Sequence, residues 1–415
     1  MNLLLLDLRF NIPQGAGETR TYDLARAVVE AGHSVTVACG SCLDTKSGLS
    51  VPFLRGRREG EVDGVRVIEL ELPPEEVASG GYGRAGRRRA QRFARWIRSL
   101  RREIQPDAVA VRNAPILAVL PVLRWKRRHG IPFVLEVAYL VPEIPAECGG
   151  VTNGITRSLM IGLEWWMYRK ADAIVTFAPG ARAGVLQREV PPDKVHLLPA
   201  ACGVTPAHAP SFPWRPDGVG VGDFVVVVPT TNDHTQDLDI VLDAAVELRR
   251  RGEHGLRMVL VGVREGRPAL ERRIREEHLH AVVLAPSLSA EERPALLAGA
   301  DVGLITAANI PSFYQGLPWP VFYECLAAGL PVVTNLPGWH GEAIEDARCG
   351  YTVLPNQPKL LADALQQARK AGRDARQTLG ERARRLGQQI APEGSHYRKE
   401  LELLEEVGRR LGKEG

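Results

Sequence analysis

A glycine-containing loop near the start of the chain has the composition of an anion-binding site. Segment 11–20 reads Asn-Ile-Pro-Gln-Gly-Ala-Gly-Glu-Thr-Arg and stands between an apolar run and an amphipathic stretch. The backbone N–H groups and the dipole at a helix N-terminus favour a negatively charged ligand. Glycines such as Gly17 also occur in tight βα turns that bind nothing, so the loop alone leaves both interpretations open. The spacing differs from the dinucleotide fingerprint Gly-x-Gly-x-x-Gly, because position 20 is Arg20.

A glutamate in the second half of the chain is a candidate ligand for ribose. Glu324 follows a proline-containing loop, and the pattern around it predicts a helix at 322–328 with Glu324 in its first turn. A carboxylate there can accept hydrogen bonds from both vicinal hydroxyls of a ribose. An acidic residue in a first turn also complements the helix dipole without binding any ligand. Local physics by itself favours this second, purely structural interpretation.

Alternating strands and helices are expected to position these residues. Apolar runs predict strands in the first half at 3–6, 34–38, 65–70, 108–111, 133–136, 173–177 and 195–198. A second series of strands follows at 224–228, 257–261, 281–284, 302–305 and 331–334. The helices between them are predicted at 21–32, 239–250, 267–278, 290–298, 322–328 and 358–371. Such alternation predicts parallel sheets with helices on both faces, and therefore an α/β protein.

A proline-rich segment divides the two series. Segment 207–216 has the composition of a linker. We therefore predict two doubly wound, Rossmann-like domains, at 1–205 and 206–392. A last helix, predicted at 395–410, lies beyond the second sheet, so we expect 393–415 to return to the first domain. Ligands of open parallel sheets bind at the carboxyl ends of the strands, where loop 11–20 falls.

Composition excludes several classes of protein. With 45% hydrophobic and 25% charged residues, the 415-residue chain resembles an ordinary globular protein of two or three domains. No apolar run approaches the roughly 20 residues of a membrane span. The stretch from Met1 to Asp7 lacks the basic region of a signal peptide, so we interpret it as a buried strand and expect a cytoplasmic protein. A net charge of +4 is too small to indicate nucleic-acid binding.

Cysteines and potential metal ligands give little indication of function. The six cysteines are scattered, which argues against a disulfide framework. Cys39 and Cys42 form a C-x-x-C pair after a strand, but no other redox feature accompanies them. We interpret them as small residues of a strand-end loop. No cluster with metal-ligand spacing is visible, so we expect neither a metal nor another cofactor.

One segment of the first domain is strongly basic. Nine arginines fall between Arg84 and Arg102, and they accompany an apolar stripe at helical spacing made by Phe93, Ile97, Leu100 and Ile104. Such a helix either lies on the anionic inner face of a membrane or docks on the protein with its arginines solvated. Nucleic acid fits less well, because no aromatic platform is interleaved. Trp165 and Trp166, farther along, are predicted to pack in the core or at a hinge.

Three segments of the second half resemble one family signature. They are 319–333, Gly-Trp-His-Gly-Glu at 338–342 and Cys-Gly-Tyr-Thr-Val-Leu-Pro at 349–355. They resemble the C-terminal signature of the family-4 retaining glycosyltransferases, which have the GT-B fold. Segments 17–26, 31–37 and 56–68 are similar to the N-terminal domain of a branch that acts in bacterial exopolysaccharide and O-antigen assembly.

The resemblance implies an activity and its partners. It implies transfer of a hexose or N-acetylhexosamine from a nucleotide sugar, a UDP-sugar being favoured, with retention of configuration. The acceptor would be a glycan, a polyprenyl-linked lipid or a small molecule. A lipid-linked acceptor would suit peripheral contact of the 84–102 segment with the inner membrane face.

The resemblance also implies donor-binding residues. Glu324 would hold the ribose of the donor, and Gly17 would let the first loop approach the donor from the opposite domain. Ser287 and Leu288 would line the base pocket. The residues that would approach the diphosphate follow the first strand of the second domain and are Thr230, Thr231 and Gln236.

The chain departs from the family pattern where charged residues are usual. Gly316 replaces a second glutamate eight positions before Glu324, and Val321 replaces a lysine. Ala138 and Tyr139 replace an arginine and an aspartate. Fixed donors and cations stabilise the charge of a departing nucleoside diphosphate. The residues that could take over this role are Arg20, His234 and Arg264.

Two other functions are consistent with these departures. A catalytically silent GT-B protein would bind a glycan or a partner enzyme and act as a scaffold. A protein of the same fold could instead be a pseudo-glycosyltransferase that joins non-glycosidic partners, or a nucleotide-sugar epimerase. Assays of turnover and analysis of the products distinguish these three functions.

Overall fold

The computed structural model divides into two compact units. It describes residues 1–15, 18–42, 45–77, 84–112, 114–138, 140, 153–199, 215–230, 236–263, 266–288, 292–310, 312–313, 319–336, 338–391 and 395–411. The first unit contains Met1–Gly203 and Gly394–Gly415, and the second contains Val204–Glu393. The predicted linker at 207–216 lies almost entirely outside the described residues.

An eight-stranded sheet forms the core of the first unit. Its strands are β1 (Asn2–Asp7), β2 (Ser34–Gly40), β3 (Arg57–Val62), β4 (Val65–Leu70), β5 (Ala108–Arg112), β6 (Phe133–Val137), β7 (Ala173–Thr176) and β8 (Val195–Leu197). Their order is β3-β4-β2-β1-β5-β6-β7-β8, and β3 alone among these pairings is antiparallel. The side chains 3–6 of β1 are fully buried, because helices cover both faces of the sheet.

Strand β3 was missed by the sequence prediction. It forms a hairpin with β4 through Asp63 and Gly64, whose φ angles of 50° and 80° match a type I′ turn. The strand lies at the sheet edge, and its charged, partly exposed residues lack an apolar run. The Asp-Gly dipeptide was the available signal for this hairpin.

The helices that the described residues of the first unit form before the second unit begins connect the strands of its sheet. They are α1 (Arg20–Glu30), α2 (Pro74–Val77), α3 (Arg84–Ile104), α4 (Val119–His129), α5 (Gly154–Lys170) and α6 (Pro179–Leu186). The apolar stripe of the basic helix α3 is buried in the core beneath the first sheet, at 0–5% exposure. The apolar stripe of α3 is therefore docked on the protein, and exposed arginines lie on the outer side of the helix.

The second unit contains a six-stranded parallel sheet. Its strands are β9 (Phe224–Pro229), β10 (Leu256–Val261), β11 (Val282–Ala285), β12 (Val302–Ile305), β13 (Val332–Thr334) and β14 (Gly350–Thr352). Their order is β11-β10-β9-β12-β13-β14, which is the Rossmann order. The helices are α7 (Asp239–Arg250), α8 (Arg267–Glu276), α9 (Arg293–Ala298), α10 (Pro320–Ala328), α11 (Trp339–Ala347), α12 (Pro358–Lys370) and α13 (Gly372–Ile390). The predicted fold class, with two Rossmann-like parallel-sheet domains, is confirmed.

The last helix, α14 (Ser395–Leu411), packs on the first unit. Its Leu404 and Val407 are buried, and the hydroxyl of Tyr397 donates to Asp23 of α1 over 2.9 Å. The C-terminal segment thus returns to the first sheet, as its position beyond the second sheet predicts. Within the described part of the chain, no helix combines the length and apolar character needed to cross a bilayer.

Candidate functional site

The carboxyl edge of the second sheet collects polar residues from successive strands. Thr230 follows β9, Ser287 follows β11, Thr306 follows β12 and Asn335 follows β13. From β9 the chain adds β10 and β11 on one side of the sheet and then β12 to β14 on the other. The order in which strands are added therefore reverses between β9 and β12, although these two strands are parallel. Ligands of doubly wound sheets bind in the crevice at such a switch point.

Two of the predicted binding residues meet around a glycine. Thr230 Oγ1 donates to the carbonyl of Val261 over 2.8 Å, and Gly262, the next residue, has a φ of +84°. A Cβ at Gly262 would lie 3.3 Å from Ser287 Oγ and 3.5 Å from Thr230 Oγ1. The hydroxyls of Thr230 and Ser287 therefore both lie beside Gly262. Because Gly262 has no side chain, a ligand has room to approach its backbone there. Gly262 was not predicted, although a glycine directly after a buried strand was a usable signal.

Gln236 and Leu288 also lie at this edge. Gln236 Nε2 donates to the carbonyl of Pro229 over 3.0 Å, which holds the amide beside the end of β9. Leu288 is buried, whereas the neighbouring Ser287 is exposed, so that pair offers one apolar and one polar side chain. Thr230, Gln236, Ser287 and Leu288 therefore follow β9 and β11 on the same edge.

Several side chains that the sequence prediction missed form hydrogen bonds that hold the loops at this switch point in place. Thr306 Oγ1 donates to the carbonyl of Asp237 over 2.7 Å, which ties the end of β12 to the loop after β9. Burial raises the pKa of Asp237, whose Oδ1 accepts the N–H of Ile240 in the first turn of α7. Asn335 accepts the N–H of Ala307 over 2.7 Å and donates to its carbonyl over 3.0 Å. These bonds leave little freedom to the loops that border the crevice.

Glu324 lies one helical turn later than predicted. Helix α10 begins at Pro320, so Glu324 is its fifth residue and not part of the first turn. The helix dipole acts mainly within the first turn, which weakens the purely structural interpretation of this carboxylate. Glu324 is buried, and its Oε1 lies 2.9 Å from Nη1 of Arg293, the first residue of α9. A buried charge needs such a partner, and the sequence had not singled out Arg293.

An aromatic cluster anchors the helix that carries Glu324. Phe322 packs edge-on against His340 with 4.9 Å between ring centroids, and Trp339 lies 4.1 Å from the His340 ring. His340 is 1% exposed, and its Nε2 has no hydrogen-bond partner among the described residues. Burial lowers the pKa of His340 to about 3. The imidazole is therefore neutral at physiological pH and acts as part of the apolar packing between α10 and α11.

Several of the residues named from the sequence cannot be located. Gly17, Thr231, His234, Arg264, Gly316 and Tyr139 lie outside the described residues. Val321, which stands where relatives carry a lysine, is 9% exposed in the first turn of α10. The described residues contain no group of three or more His, Cys, Asp or Glu side chains placed to hold a metal ion.

Arg20, one of the candidate charge partners, is engaged within the first unit. Its Nη2 lies 2.8 Å from Glu18 Oε2 and 3.5 Å from Glu136 Oε1. Its guanidinium carbon lies 4.3 Å from the centroid of the Phe177 ring. Arg20 is buried, so these contacts hold it at the carboxyl edge of the first sheet.

A buried polar cluster lies next to Arg20, at the switch point between β1 and β5. Arg112 donates from Nε to Thr21 Oγ1 over 3.0 Å, and its Nη2 lies 3.1 Å from Glu136 Oε2. Its Nη1 pairs with Glu400 of α14, while the hydroxyl of Thr21 donates to Asp7. Burial raises the pKa values of Asp7 and Glu400. Burial opposes the charge on Arg112, but its carboxylate neighbours outweigh that effect and raise its pKa. The cluster thereby fastens α14 to the first sheet.

Family models match each half of the chain. Residues 15–201 match a model described as a glycosyl transferase 4-like domain, and residues 218–386 match one described as glycosyl transferases group 1. A curated relative, glycogen synthase from Mycobacterium tuberculosis (strain CDC 1551 / Oshkosh), is 25% identical over 378 residues. That match covers 86% of this chain and 85% of the relative.

Solved structures with the same fold match nearly the whole chain. Sucrose-phosphate synthase from Thermosynechococcus elongatus has a TM-score of 0.71 at 16% identity, covering 100% of this chain and 99% of that one. Anabaena HepE in complex with UDP-glucose has a TM-score of 0.68 at 15% identity, covering 98% and 99%. The chain therefore pairs a glycosyl transferase 4-like domain with a glycosyl transferases group 1 domain, and it belongs to the glycosyltransferases of the GT-B fold.

Proposed function

We propose that this protein transfers a hexose or N-acetylhexosamine from a UDP-sugar to a glycan, lipid-linked or small-molecule acceptor, with retention of configuration. The second unit binds the donor, and the first unit binds the acceptor. The observation that carries the proposal is the buried carboxylate of Glu324, held 2.9 Å from Arg293 in the group 1 domain. The proposed branch is that of bacterial polysaccharide assembly, on the residues quoted for the resemblance.

Glu324 is suited to bind ribose. A carboxylate has about four lone-pair sites, so an ion pair with Arg293 leaves acceptor capacity for two vicinal hydroxyls. Hydrogen bonds to a charged acceptor in a buried setting are stronger than neutral ones. The aromatic packing of Phe322 against His340 supports the role, because it fixes the helix that presents the carboxylate.

The remaining donor contacts follow from the edge of the second sheet. Ser287 and Leu288 are proposed to border the base, while Thr230, Thr231 and Gln236 approach the diphosphate. Binding of UDP-glucose by HepE, a protein of the same fold, supports UDP as the nucleotide.

The candidate cations that would stabilise the charge of the leaving group remain Arg20, His234 and Arg264. Gly17 remains the proposed point at which the first loop approaches the donor closely. Metal independence is part of the proposal, because the sequence lacks a ligand pattern.

The deciding experiment is an assay for donor turnover. Purified protein is incubated with UDP-, GDP- and ADP-sugars, with and without glycan and polyprenyl-phosphate acceptors, in the presence of EDTA. We expect release of UDP from one UDP-sugar and an acceptor product whose anomeric configuration, measured by NMR, matches that of the donor. Binding of UDP without turnover of any sugar across the panel would overturn the transferase proposal.

A silent nucleotide-binding protein is the second candidate function. Val321 favours it, because a buried valine occupies the first turn of α10 where a phosphate-side lysine is usual in the family. A protein of this kind would bind a nucleotide sugar and act as a scaffold. New turnover in Val321→Lys, with none in the native chain, supports this second function, and native turnover abolished by Glu324→Ala eliminates it. Mass spectrometry of products separates transfer from epimerisation or non-glycosidic coupling.

The proposed compartment is the cytoplasm, at the inner face of a membrane. Exposed arginines of α3, which include Arg88, Arg95 and Arg98, are proposed to be attracted to anionic lipids. Because the apolar stripe of α3 belongs to the core, this contact would be electrostatic only. Loss of vesicle binding in charge-reversed α3 variants tests it.

A further inference from the structure

Helix α5 exposes an unusual amount of apolar surface. Ile155 is 75% exposed, Leu159 70%, Trp166 44% and Trp165 40%. Of the two predictions for these tryptophans, packing in the core is therefore wrong, whereas packing at a hinge stays a prediction. Large apolar side chains scattered singly on a surface need no explanation, whereas several on one helix mark a site of interaction.

The exposed residues form a stripe along one side of the helix. Positions 155, 159, 162 and 166 follow the three-to-four spacing that places side chains above one another. The opposite side carries Met167 and Tyr168, which belong to the core of the first unit. Glu164 on that buried side accepts hydrogen bonds from Tyr168 over 2.6 Å and from Arg188 over 2.9 Å. These bonds fix the rotation of α5, so the stripe stays directed outwards.

Positive charges predominate around the stripe, and Arg169 among them is paired with an exposed carboxylate, that of Glu189 at 2.5 Å. The exposed charged residues of α5 are Arg157, Arg169 and Lys170, and α4 next to it exposes Arg124, Arg127 and Arg128. Helices α3, α4 and α5 together contain two acidic residues, Glu103 and Glu164. Glu103 is already paired with Arg57 and Arg66, each at 2.8 Å, and Glu164 is buried. The face formed by the three helices is therefore strongly positive.

We propose that α5 docks this face on an anionic lipid bilayer, with Ile155, Leu159 and Trp166 inserted at the headgroup level. Tryptophan is enriched at membrane interfaces, and interfacial helices combine an apolar side with flanking lysine and arginine. A broad surface of predominantly positive charge matches a partner of uniform negative charge, which favours a bilayer over a folded protein. The inference extends the electrostatic contact proposed for α3 by naming the element that inserts.

Binding to vesicles tests the inference without any turnover. Full-length protein is floated with phosphatidylcholine vesicles that either contain or lack phosphatidylglycerol, and partition is compared for Leu159→Glu/Trp166→Glu and Leu354→Glu. Leu354 is a matched control, because it is 68% exposed and lies in the second unit. Unchanged urea-unfolding midpoints establish that all variants are folded.

We expect the wild type and Leu354→Glu to float with the anionic vesicles only, and less at high salt. The double variant should partition at least about tenfold less, since membrane affinity follows the apolar area inserted. The tryptophan emission of the wild type should shift to the blue when vesicles bind. The Trp165→Phe/Trp166→Phe variant should show no such shift. Equal partition of the double variant, or no binding to anionic vesicles, would overturn the inference.

Two further measurements separate this inference from its rivals. A dimer in the wild type that the double variant abolishes, seen by size-exclusion chromatography, would assign the stripe to self-association and overturn membrane docking. Donor turnover with a water-soluble acceptor should be the same in the wild type and the double variant. Failure of the transferase proposal would abolish that turnover and leave the vesicle result intact.

Discussion

The Nη1 atom of Arg293 lies 2.9 Å from Oε1 of Glu324, and this pair joins the first residue of α9 to the second turn of α10. The two helices follow different strands of the second sheet, so the pair crosses the edge at which ligands of such sheets bind. It holds a buried carboxylate in place before any ligand arrives. A fixed acceptor binds a ribose without the entropy loss that ordering a mobile side chain would require.

Replacing Glu324 by glutamine tests the proposed ribose contact. The variant keeps the shape of the side chain but loses its charge, and a hydrogen bond to a charged group contributes about 1.5–3 kcal/mol. We expect UDP to bind roughly 10- to 100-fold more weakly, as measured by isothermal titration calorimetry. Glu381→Gln, at an exposed position of α13, is the control and should bind UDP like the wild type. UDP affinity unchanged in Glu324→Gln would remove this residue from the donor site.

Gly262→Ala tests the close approach beneath Thr230 and Ser287. At a φ of +84° any other residue is strained by about 1–3 kcal/mol, and the new Cβ would lie in tight contact with Ser287 Oγ and in ordinary contact with Thr230 Oγ1. Gly252→Ala is a matched control, because its φ is +69° and no atom lies within 4 Å of the added Cβ. We expect both variants to unfold at lower urea concentration, but only Gly262→Ala to bind UDP more weakly. Equal UDP affinities in the two variants would contradict the proposed role of this edge.

Buried His340 should make the second unit sensitive to acid. Burial lowers the pKa of the folded histidine from 6.5 to about 3. Between these values the unfolded chain binds a proton that the folded chain does not, so stability is lost as the pH falls below 6.5. We expect the slope from this group to approach about 1.4 kcal/mol per pH unit.

The pH effect of His340 is measured by urea unfolding from neutral pH down to about pH 5. His340→Leu keeps an apolar side chain in the cluster and should reduce the slope, whatever its own stability. His254→Gln, at an exposed position, should keep the wild-type slope. Identical slopes in the wild type and His340→Leu would show that folding does not lower the pKa of His340.

Removing Glu400 should detach the C-terminal helix. The Glu400→Ala variant leaves Arg112 buried with one fewer carboxylate, and breaking a buried ion pair costs about 3–5 kcal/mol. We expect a large loss of stability in the first unit and faster hydrogen exchange of amides 401–409. Glu402→Ala is the control, since Glu402 is exposed on the same helix. Exchange in α14 that is equally slow in both variants would assign its docking to apolar packing by Leu404 and Val407.

Most of the strands could be predicted from the sequence, for a local reason. A strand covered on both faces must be apolar at consecutive positions, as in β1 and β9, and such runs are visible without any tertiary information. The missed strands β3 and β14 lie at the edges of their sheets, where neither face demands apolar residues. Gly262 was overlooked because a single glycine in a sequence does not indicate a binding site. Its position becomes informative only when the fold places Thr230 and Ser287 beside it.

The sequence by itself determined the alternation of strands and helices, and with it two Rossmann-like sheets and a polar edge on each. Only the tertiary structure decided which charges meet. Arg293 and Glu324 are 31 positions apart, and Arg112 and Glu400 are 288 apart, yet each pair is in contact. It also decided that the stripe of α3 is buried and that of α5 is exposed. Periodicity reveals an amphipathic helix, but the element that covers its apolar side comes from elsewhere in the chain.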